Sequence, residues 1–296
     1  MRQLFLKALA ILALVAFVDV VVGVVSRQIL LGLSDKRSQI ATIQQALLRK
    51  QADVVILGAS CAKYHYDPRI IADSLGMTVE NTGVGGMNMV YTDLVLQAFL
   101  ERCTPRLVVV DIYGQLDPGE GRLPRLKPFY GISNPVTAYY DSISSWQQRL
   151  KLCSALYRYN GTLDLLLRHC LNAPNDSHGF AEMDALDGLM DTVEVHRFRP
   201  DESKLPHLEH VVSLCRNHGI QLAFVLSPRR EHDISQEHWI AELCRKHGIM
   251  LINELHVPDY YNAPGLFHDD SHLSAAGAHL FSQRVAAALS EQIRKR

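Results

Sequence analysis

The stretch Val54-Val-Ile-Leu-Gly-Ala-Ser60 predicts a buried strand that ends at a glycine and is followed, two residues later, by a serine. A continuous apolar run of this length is typical of a parallel strand that is covered on both faces. A serine on the turn after such a strand lies at the carboxyl edge of the sheet, where open α/β folds place their active sites. Ser60 is therefore the first candidate functional residue.

Strand and helix patterns alternate along most of the remaining chain. We predict further strands at Met77–Glu80, Leu107–Ile112 and Gln221–Leu226, and helices at about Val90–Glu101, Leu208–Asn217 and Ala275–Arg294. Strands that alternate with helices imply right-handed crossovers and a parallel sheet with helices on both faces. The expected fold class is therefore α/β.

The N-terminal segment is typical of a membrane anchor. Ala8–Val25 is apolar or glycine except for Asp19, and it is long enough to cross a bilayer. A carboxylate inside such a span costs about 3 kcal/mol on insertion scales, which a strongly apolar helix tolerates. No Ala-x-Ala cleavage site follows, which favours an uncleaved anchor. We expect a signal anchor at 1–33, an amphipathic helix or stalk at 34–52, and one domain at 53–296; a buried core helix is the alternative for the apolar segment.

The region at about 116–201 interrupts the alternation with several prolines and aromatic residues. Insertions of this length in compact domains are usually lids or binding loops. We therefore predict a partly helical insertion that lies over the active edge of the sheet. Packing without substrate contact is the alternative.

Composition excludes several classes of function. The chain of 296 residues is 48% hydrophobic, so it can bury a large core, and its formal net charge of -1 gives no electrostatic reason to expect nucleic acid. The six cysteines form no Cys-x-x-Cys pair, so the sequence does not support a zinc ribbon or a thioredoxin-like redox site.

Near the C-terminus, Asp269-Asp-Ser-His272 supplies the partners that a catalytic serine needs. Serine is a weak nucleophile until a neighbouring base takes its proton. His272 is the candidate base, and Asp269 is the candidate acceptor that fixes its tautomer, with Asp270 or water as alternatives. The chain order Ser, Asp, His occurs in known serine hydrolases. The pattern indicates acyl-ester chemistry.

These residues together resemble the SGNH (GDSL-type) hydrolase superfamily, specifically its membrane-anchored bacterial members with a long insertion. Leu57-Gly-Ala-Ser60 resembles the first sequence block, Asn81-Thr-Gly-Val-Gly-Gly86 the second, and Asp269-Asp-Ser-His272 the block that carries the catalytic pair. The resemblance implies a flavodoxin-like three-layer α/β/α sandwich with a five-stranded parallel sheet. It also implies that the backbone N–H groups of Ser60 and Gly86 bind the oxyanion.

The chain departs from the family pattern at the third block. The family has Gly-x-Asn-Asp there, and the asparagine side chain donates to the oxyanion, whereas this chain has Asp111-Ile-Tyr-Gly-Gln115. Gln115 falls at about the matching offset and is the candidate replacement donor. If nothing replaces that donor, about 3–4 kcal/mol of transition-state stabilisation is lost.

Three functional hypotheses follow. The first is a serine esterase or acyltransferase, without a cofactor, that acts on acyl (acetyl) esters of an envelope carbohydrate, with its domain in the periplasm or outside the cell. The second is a catalytically lapsed relative that binds carbohydrate or supports an envelope assembly. The third is a zinc site at His268, Asp269, Asp270 and His272, although ligands this close in sequence do not converge easily.

Overall fold

The computed structural model describes residues 1–33, 38–171, 180–185, 193–195 and 198–294. Within these ranges the strands are β1 (Val54–Leu57), β2 (Val79–Asn81), β3 (Leu107–Asp111), β4 (Val193–Val195), β5 (Gln221–Leu226), β6 (Glu231–Asp233) and β7 (Met250–Asn253). The helices are α1 (Arg2–Leu31), α2 (Gln39–Leu48), α3 (Ser60–His65), α4 (Pro68–Leu75), α5 (Met89–Leu100), α6 (Asn134–Ile143), α7 (Trp146–Cys153), α8 (Ala155–Tyr159), α9 (Leu163–Leu171), α10 (Leu205–Asn217), α11 (Ile234–His247), α12 (Pro258–Tyr261) and α13 (Ala275–Arg294). Short 3₁₀ helices span Leu123–Phe129 and Glu202–Lys204.

Five strands form one parallel sheet in the order β2-β1-β3-β5-β7. This is the flavodoxin-like arrangement, in which the chain moves first to one side of β1 and then to the other. Strands β4 and β6 form a separate parallel pair. The prediction of a five-stranded parallel sheet within an α/β fold is confirmed.

Alternate residues of the central strands pack against different helical layers. On one face, Val54 and Ile56 share a core with Phe281 of α13. On the other face, Val55 and Leu57 share a core with helices that include α5, α10 and α11. All four residues of β1 are buried, as a strand covered on both faces requires. The sheet is therefore the middle of three layers.

The second predicted strand was placed slightly too early. Helix α4 ends at Gly76, which adopts a left-handed conformation with φ 63°. The carboxylate of Asp53 then accepts hydrogen bonds from the N–H and hydroxyl of Thr78, at 3.0 and 2.7 Å. These two bonds hold Thr78 in the turn that precedes the strand, so β2 begins only at Val79.

Helix α1 is long and apolar enough to cross a membrane, and most of its apolar side chains are exposed. Helix α2 instead packs against α5 and buries Ile40, Ile43 and Leu47. In the insertion, α6 packs on α5, while α8 and α9 pack on α1. The insertion then returns to the sheet edge, where the Ala181 N–H donates to the Lys63 carbonyl in α3.

Candidate active site

Gly58 makes the turn that presents Ser60. Its φ is 149°, and a methyl group there would lie 2.8 Å from Ala62 Cβ and 3.1 Å from the Asp111 carbonyl oxygen. Only glycine fits that space and conformation. Ser60 follows as the first residue of α3, partly exposed at the carboxyl edge of β1. Its N–H belongs to the first helical turn, whose N–H groups have no acceptor within the helix.

The loop between β2 and α5 is fixed directly onto α3. The Asn81 side-chain amide donates to the carbonyls of Ala62 (2.6 Å) and Tyr66 (3.1 Å), and its oxygen accepts the Gly83 N–H at 2.9 Å. A methyl group on Gly85 would lie 3.8 Å from Ser60 Cβ. The glycine-rich loop therefore lies beside the candidate nucleophile, as the sequence predicts.

Gly86, the predicted oxyanion donor, lies in this loop with φ 79°. In the part of the chain that the structure describes, no acceptor is hydrogen-bonded to its N–H. Its carbonyl accepts the Arg122 N–H at 2.8 Å, and a methyl group on Gly86 would lie 2.9 Å from Arg122 Cδ. The Arg122 side chain also donates to Gln39 Oε1 at 3.2 Å. An arginine that the sequence analysis missed therefore covers the oxyanion loop.

Asp269 and His272 form the predicted pair. His272 Nδ1 lies 2.9 Å from Asp269 Oδ2 and 3.0 Å from Oδ1. Oδ1 also accepts the N–H groups of Ser271 (2.7 Å) and His272 (2.8 Å). Partial burial raises the pKa of Asp269, but these hydrogen bonds outweigh it and hold the pKa below its ordinary value. Asp270, the alternative acceptor, has an exposed side chain, so Asp269 is the residue that orients His272.

The imidazole of His272 packs on the helix that begins with Ser60. Its ring lies 5.4 Å from the Tyr64 ring, centroid to centroid, in an edge-to-face arrangement. Ser60 and Tyr64 are four residues apart on α3 and so project from the same side of it. His272 Nε2 is buried and has no hydrogen-bond partner among the described residues, so no bond joins it to Ser60 Oγ. Such contacts are often long before substrate binds.

Two buried residues of α3 support this arrangement. His65 is fully buried, and its Nε2 accepts the Leu273 N–H at 3.1 Å, which ties α3 to the residue after His272. Burial, followed by the nearby His272, holds the pKa of His65 well below its ordinary value, so His65 is neutral. Burial raises the pKa of Cys61 to about 12, so this thiol stays protonated and is not a competing nucleophile.

Gln115, the predicted replacement donor, is fully buried behind the glycine-rich loop. Its Oε1 accepts the Thr92 hydroxyl at 2.9 Å, and its carbonyl accepts the Met89 N–H at 3.0 Å, three residues after Gly86. Its Nε2 has no partner among the described residues. The structure thus puts Gln115 next to the oxyanion loop with one amide donor unused, but shows no contact with Ser60.

Arg229 is a second cation that the sequence analysis missed. It follows β5, and its Nη2 donates to Ser271 Oγ at 2.9 Å, one residue from His272. Its guanidinium carbon lies 4.4 Å from the centre of the Tyr113 ring. Both residues line a cavity of about 500 Å³ at this edge of the sheet; the other lining residues are Asp117, Pro118, Val195, Phe198, Arg199, Glu231, Asp233 and Gln236. The position of Arg229 three residues after a buried strand was the available signal.

The side chains proposed for a zinc site are engaged elsewhere. His268 Nδ1 is 2.8 Å from the Asp184 carbonyl oxygen, and Asp269 is hydrogen-bonded to His272. Across the described ranges, no three His, Cys, Asp or Glu side chains are grouped so that they could hold a metal ion. The geometry therefore favours the Asp–His pair over a metal site.

Asp111, at the end of β3, is a buried carboxyl group whose raised pKa should make the stability of the protein depend on pH. Burial raises its pKa to about 6, and its carboxylate accepts the Tyr66 hydroxyl at 2.9 Å. Because the folded-state pKa is raised, the stability from the protonated carboxyl is present at about pH 4 and lost as pH rises through about 6. Asp111→Asn does not titrate, so its free energy of unfolding, relative to wild type, should rise by about 2 kcal/mol between those limits. Thermal unfolding in detergent at both limits measures this, and an unchanged difference would contradict it.

Comparisons with known proteins give weak structural similarities. No family model and no curated protein sequence matches the chain. Among solved structures, the chain is similar to a protein assigned to the lipolytic G-D-S-L family from Desulfitobacterium hafniense, with 10% identity, a TM-score of 0.42, and coverage of 79% of this chain and 97% of that one. It is also similar to a protein assigned as an acylhydrolase from Bacteroides fragilis, with 11% identity, a TM-score of 0.42, and coverage of 84% and 94%. The site residues, not these similarities, carry the functional argument.

Proposed function

We propose that this protein is a serine-dependent esterase or acyltransferase, with Ser60 as nucleophile, His272 as general base and Asp269 as the residue that orients the base. The observation that carries the proposal is the Asp269–His272 pair. The Asp269 carboxylate fixes His272 through Nδ1. His272 Nε2 is buried, has no hydrogen-bond partner among the described residues, and lies beside the helix that Ser60 begins. A base held in one tautomer with a free nitrogen is what serine activation needs.

The reaction proceeds in two halves. Ser60 Oγ bonds to the ester carbonyl carbon while its proton passes to His272 Nε2. The oxyanion receives hydrogen bonds from the N–H groups of Ser60 and Gly86, with Gln115 Nε2 as the third donor. Collapse of the tetrahedral intermediate breaks the ester C–O bond, and the departing alcohol takes the proton from Nε2. Water or a sugar hydroxyl then attacks the acyl-enzyme by the same steps in reverse.

The proposed substrate is an acyl ester, acetyl above all, of an envelope carbohydrate. The cavity beside the site supports a ligand rich in hydroxyl groups, because its lining combines Tyr113 with charged side chains of both signs. Helix α1 supports attachment to a membrane. The proposed location of the domain is the periplasm or the outside of the cell. The same residues serve hydrolysis and transfer. Whether water or a sugar hydroxyl attacks the acyl-enzyme decides which of the two reactions occurs.

A second candidate is a lapsed relative that binds carbohydrate or supports an envelope assembly without catalysis. Two observations favour it: His272 Nε2 is not bonded to Ser60, and the Arg122 side chain covers Gly86. In this alternative the cavity binds an intact acylated sugar and Ser60 is never acylated.

Covalent labelling separates the two candidates. Full-length protein in detergent is treated with a fluorophosphonate, which forms a stable bond only with an activated serine. We expect labelling at Ser60, identified by peptide mass, that is absent in Ser60→Ala and retained in Cys61→Ala. Labelled protein should also lose p-nitrophenyl acetate turnover. If wild type and Ser60→Ala label equally, the lapsed alternative is correct.

Gln115→Ala tests the third oxyanion donor. If its Nε2 reaches the oxyanion, kcat should fall by about 10²- to 10³-fold with little change in KM, because the bond forms only in the transition state. Thr92→Val is the matched control, since it removes the partner of Oε1 and leaves Nε2 in place. If kcat fell equally in both variants, and in proportion to a loss of folded protein, Gln115 would have a structural role only.

A further inference from the structure

The helices of the insertion expose an unusual number of large apolar side chains. Trp146 and Leu150 of α7 are 71% and 65% exposed, and Leu167 and Leu171 of α9 are 62% and 77% exposed. Leu156 of α8 and Leu163 of α9 belong to the same group. Contiguous exposed apolar surface of this kind marks a protein or membrane contact in a soluble domain. We call the exposed apolar side chains of α7, α8 and α9 the insertion surface.

The insertion surface is joined to α1 by a specific contact. Asp19, within the apolar part of α1, accepts hydrogen bonds from Ser154 Oγ (2.6 Å), the Ala155 N–H (3.1 Å) and the Leu156 N–H (2.8 Å). One turn further along, a methyl group on Gly23 would lie 2.9 Å from Ala155 Cβ. The carboxylate thus caps the start of α8, and the glycine lets α8 approach closely.

This contact fixes the depth of the insertion relative to α1. The exposed apolar side chains of α1 extend from Leu4 to Val25, which at 1.5 Å per residue is about 33 Å, close to the thickness of a bilayer's hydrocarbon core. Asp19 is six residues before Val25 and so lies about 9 Å inside the end of that stretch. If α1 crosses the membrane, the start of α8 must lie at the level of the lipid headgroups or below them.

A groove between α1 and α9 extends the apolar surface. It has a volume of about 260 Å³ and is lined almost entirely by apolar side chains, with Val21, Val22, Val25 and Ile29 from α1, and Leu163, Leu166 and Leu167 from α9. An apolar groove of this kind can accommodate part of a lipid acyl chain. The groove shows that the surface of α1 continues without interruption onto the insertion.

Exposed basic side chains lie next to the exposed apolar ones on α7 and α9. Arg149 and Lys151 are exposed on α7 on either side of Leu150. Arg168 is exposed beside Leu167 on α9, where its Nε lies 3.9 Å from the Asp164 carboxylate. Trp146 begins α7. Tryptophan and basic side chains next to an apolar face are typical of helices that lie in a membrane interface and contact anionic lipids.

We propose that α7, α8 and α9 lie in the headgroup–acyl boundary of the leaflet at the C-terminal end of α1, as a second membrane contact in addition to the anchor. The occupant of the insertion surface is an anionic phospholipid bilayer. The proposal rests on α1 being the anchor and is independent of catalysis. It means that the domain is held flat against the membrane rather than on a flexible stalk.

The chain contains two tryptophans, Trp146 and Trp239, which provide the probe and its control. Trp239 lies on α11, away from the insertion surface, where it is partly buried against Phe198. Full-length Trp239→Phe and Trp146→Phe proteins are reconstituted into anionic vesicles that contain phospholipid brominated near the carboxyl end of one acyl chain. We expect Trp146 emission to be quenched severalfold more strongly than Trp239 emission. The double variant Leu150→Glu, Leu167→Glu should remove most of that quenching while the protein still floats with the vesicles.

Three outcomes would overturn the proposal. Protein that floats with the vesicles but shows equal, weak quenching of both tryptophans keeps the anchor and excludes the second contact. Trp146 that is shielded from acrylamide but not quenched by brominated lipid indicates a protein partner on the insertion surface. Protein that does not float with the vesicles at all removes the anchor on which the proposal depends.

Discussion

Replacing Ser60 by alanine is expected to lower kcat for p-nitrophenyl acetate by about 10⁵- to 10⁶-fold. In the proposed mechanism the Ser60 hydroxyl oxygen forms the covalent bond, and the neighbouring buried thiol of Cys61 cannot replace it because that thiol stays protonated. His272→Ala should lower kcat by a similar factor. The double variant should lower kcat little more than either single variant, since the two residues are expected to act as one unit. Initial rates with the full-length protein in detergent measure all three.

The controls for this series are two exposed residues of the same types. Ser74→Ala removes an exposed hydroxyl on α4 that donates to the Ile70 carbonyl of its own helix, and His238→Ala removes an exposed imidazole on α11. Both variants should retain wild-type rates. If Ser60→Ala kept more than about one hundredth of the wild-type kcat after contaminating esterase was subtracted, Ser60 would not be the nucleophile.

Asp269→Asn is expected to lower kcat by about 10⁴-fold while the protein stays folded. The asparagine oxygen can still accept the Ser271 and His272 N–H groups, so the turn is preserved. Its amide, however, donates where the carboxylate accepted from Nδ1, which favours the tautomer with the proton on Nε2. A histidine in that tautomer cannot take the proton of Ser60.

The neighbour Asp270 is the matched control, because Asp270→Asn makes the same change of charge one residue away on an exposed side chain. Its kcat should stay within about twofold of wild type, since a single exposed charge contributes little. Equal losses in the two variants would mean that negative charge in this segment, rather than the bond to His272, supports activity.

The parts of the site that sequence predicted are those encoded locally. The strand–glycine–serine turn, the Asn81–Gly86 loop and the Asp269–His272 pair each form from a few consecutive residues whose spacing fixes their geometry. The sheet followed from the alternation of buried strands and amphipathic helices. These features need no knowledge of which distant segments meet.

The missed residues reach the site through tertiary packing. Arg122 comes from the insertion, and it is held in place by Gln39, the first residue of α2. Arg229 contacts Ser271 across a long separation in sequence. A single arginine or histidine carries no periodic signal of its own. The positions of such side chains depend on how the loops at one sheet edge come together.

The capped carboxylate of Asp19 has a consequence for the order in which the protein assembles. If α1 is a membrane anchor, its unpaired carboxylate opposes insertion by about 3 kcal/mol while the helix is alone in the bilayer. Once the domain has folded, three donors from Ser154, Ala155 and Leu156 satisfy that carboxylate. Folding of the domain and insertion of α1 therefore stabilise one another, so a newly made chain would hold its anchor more firmly once residues far downstream had folded.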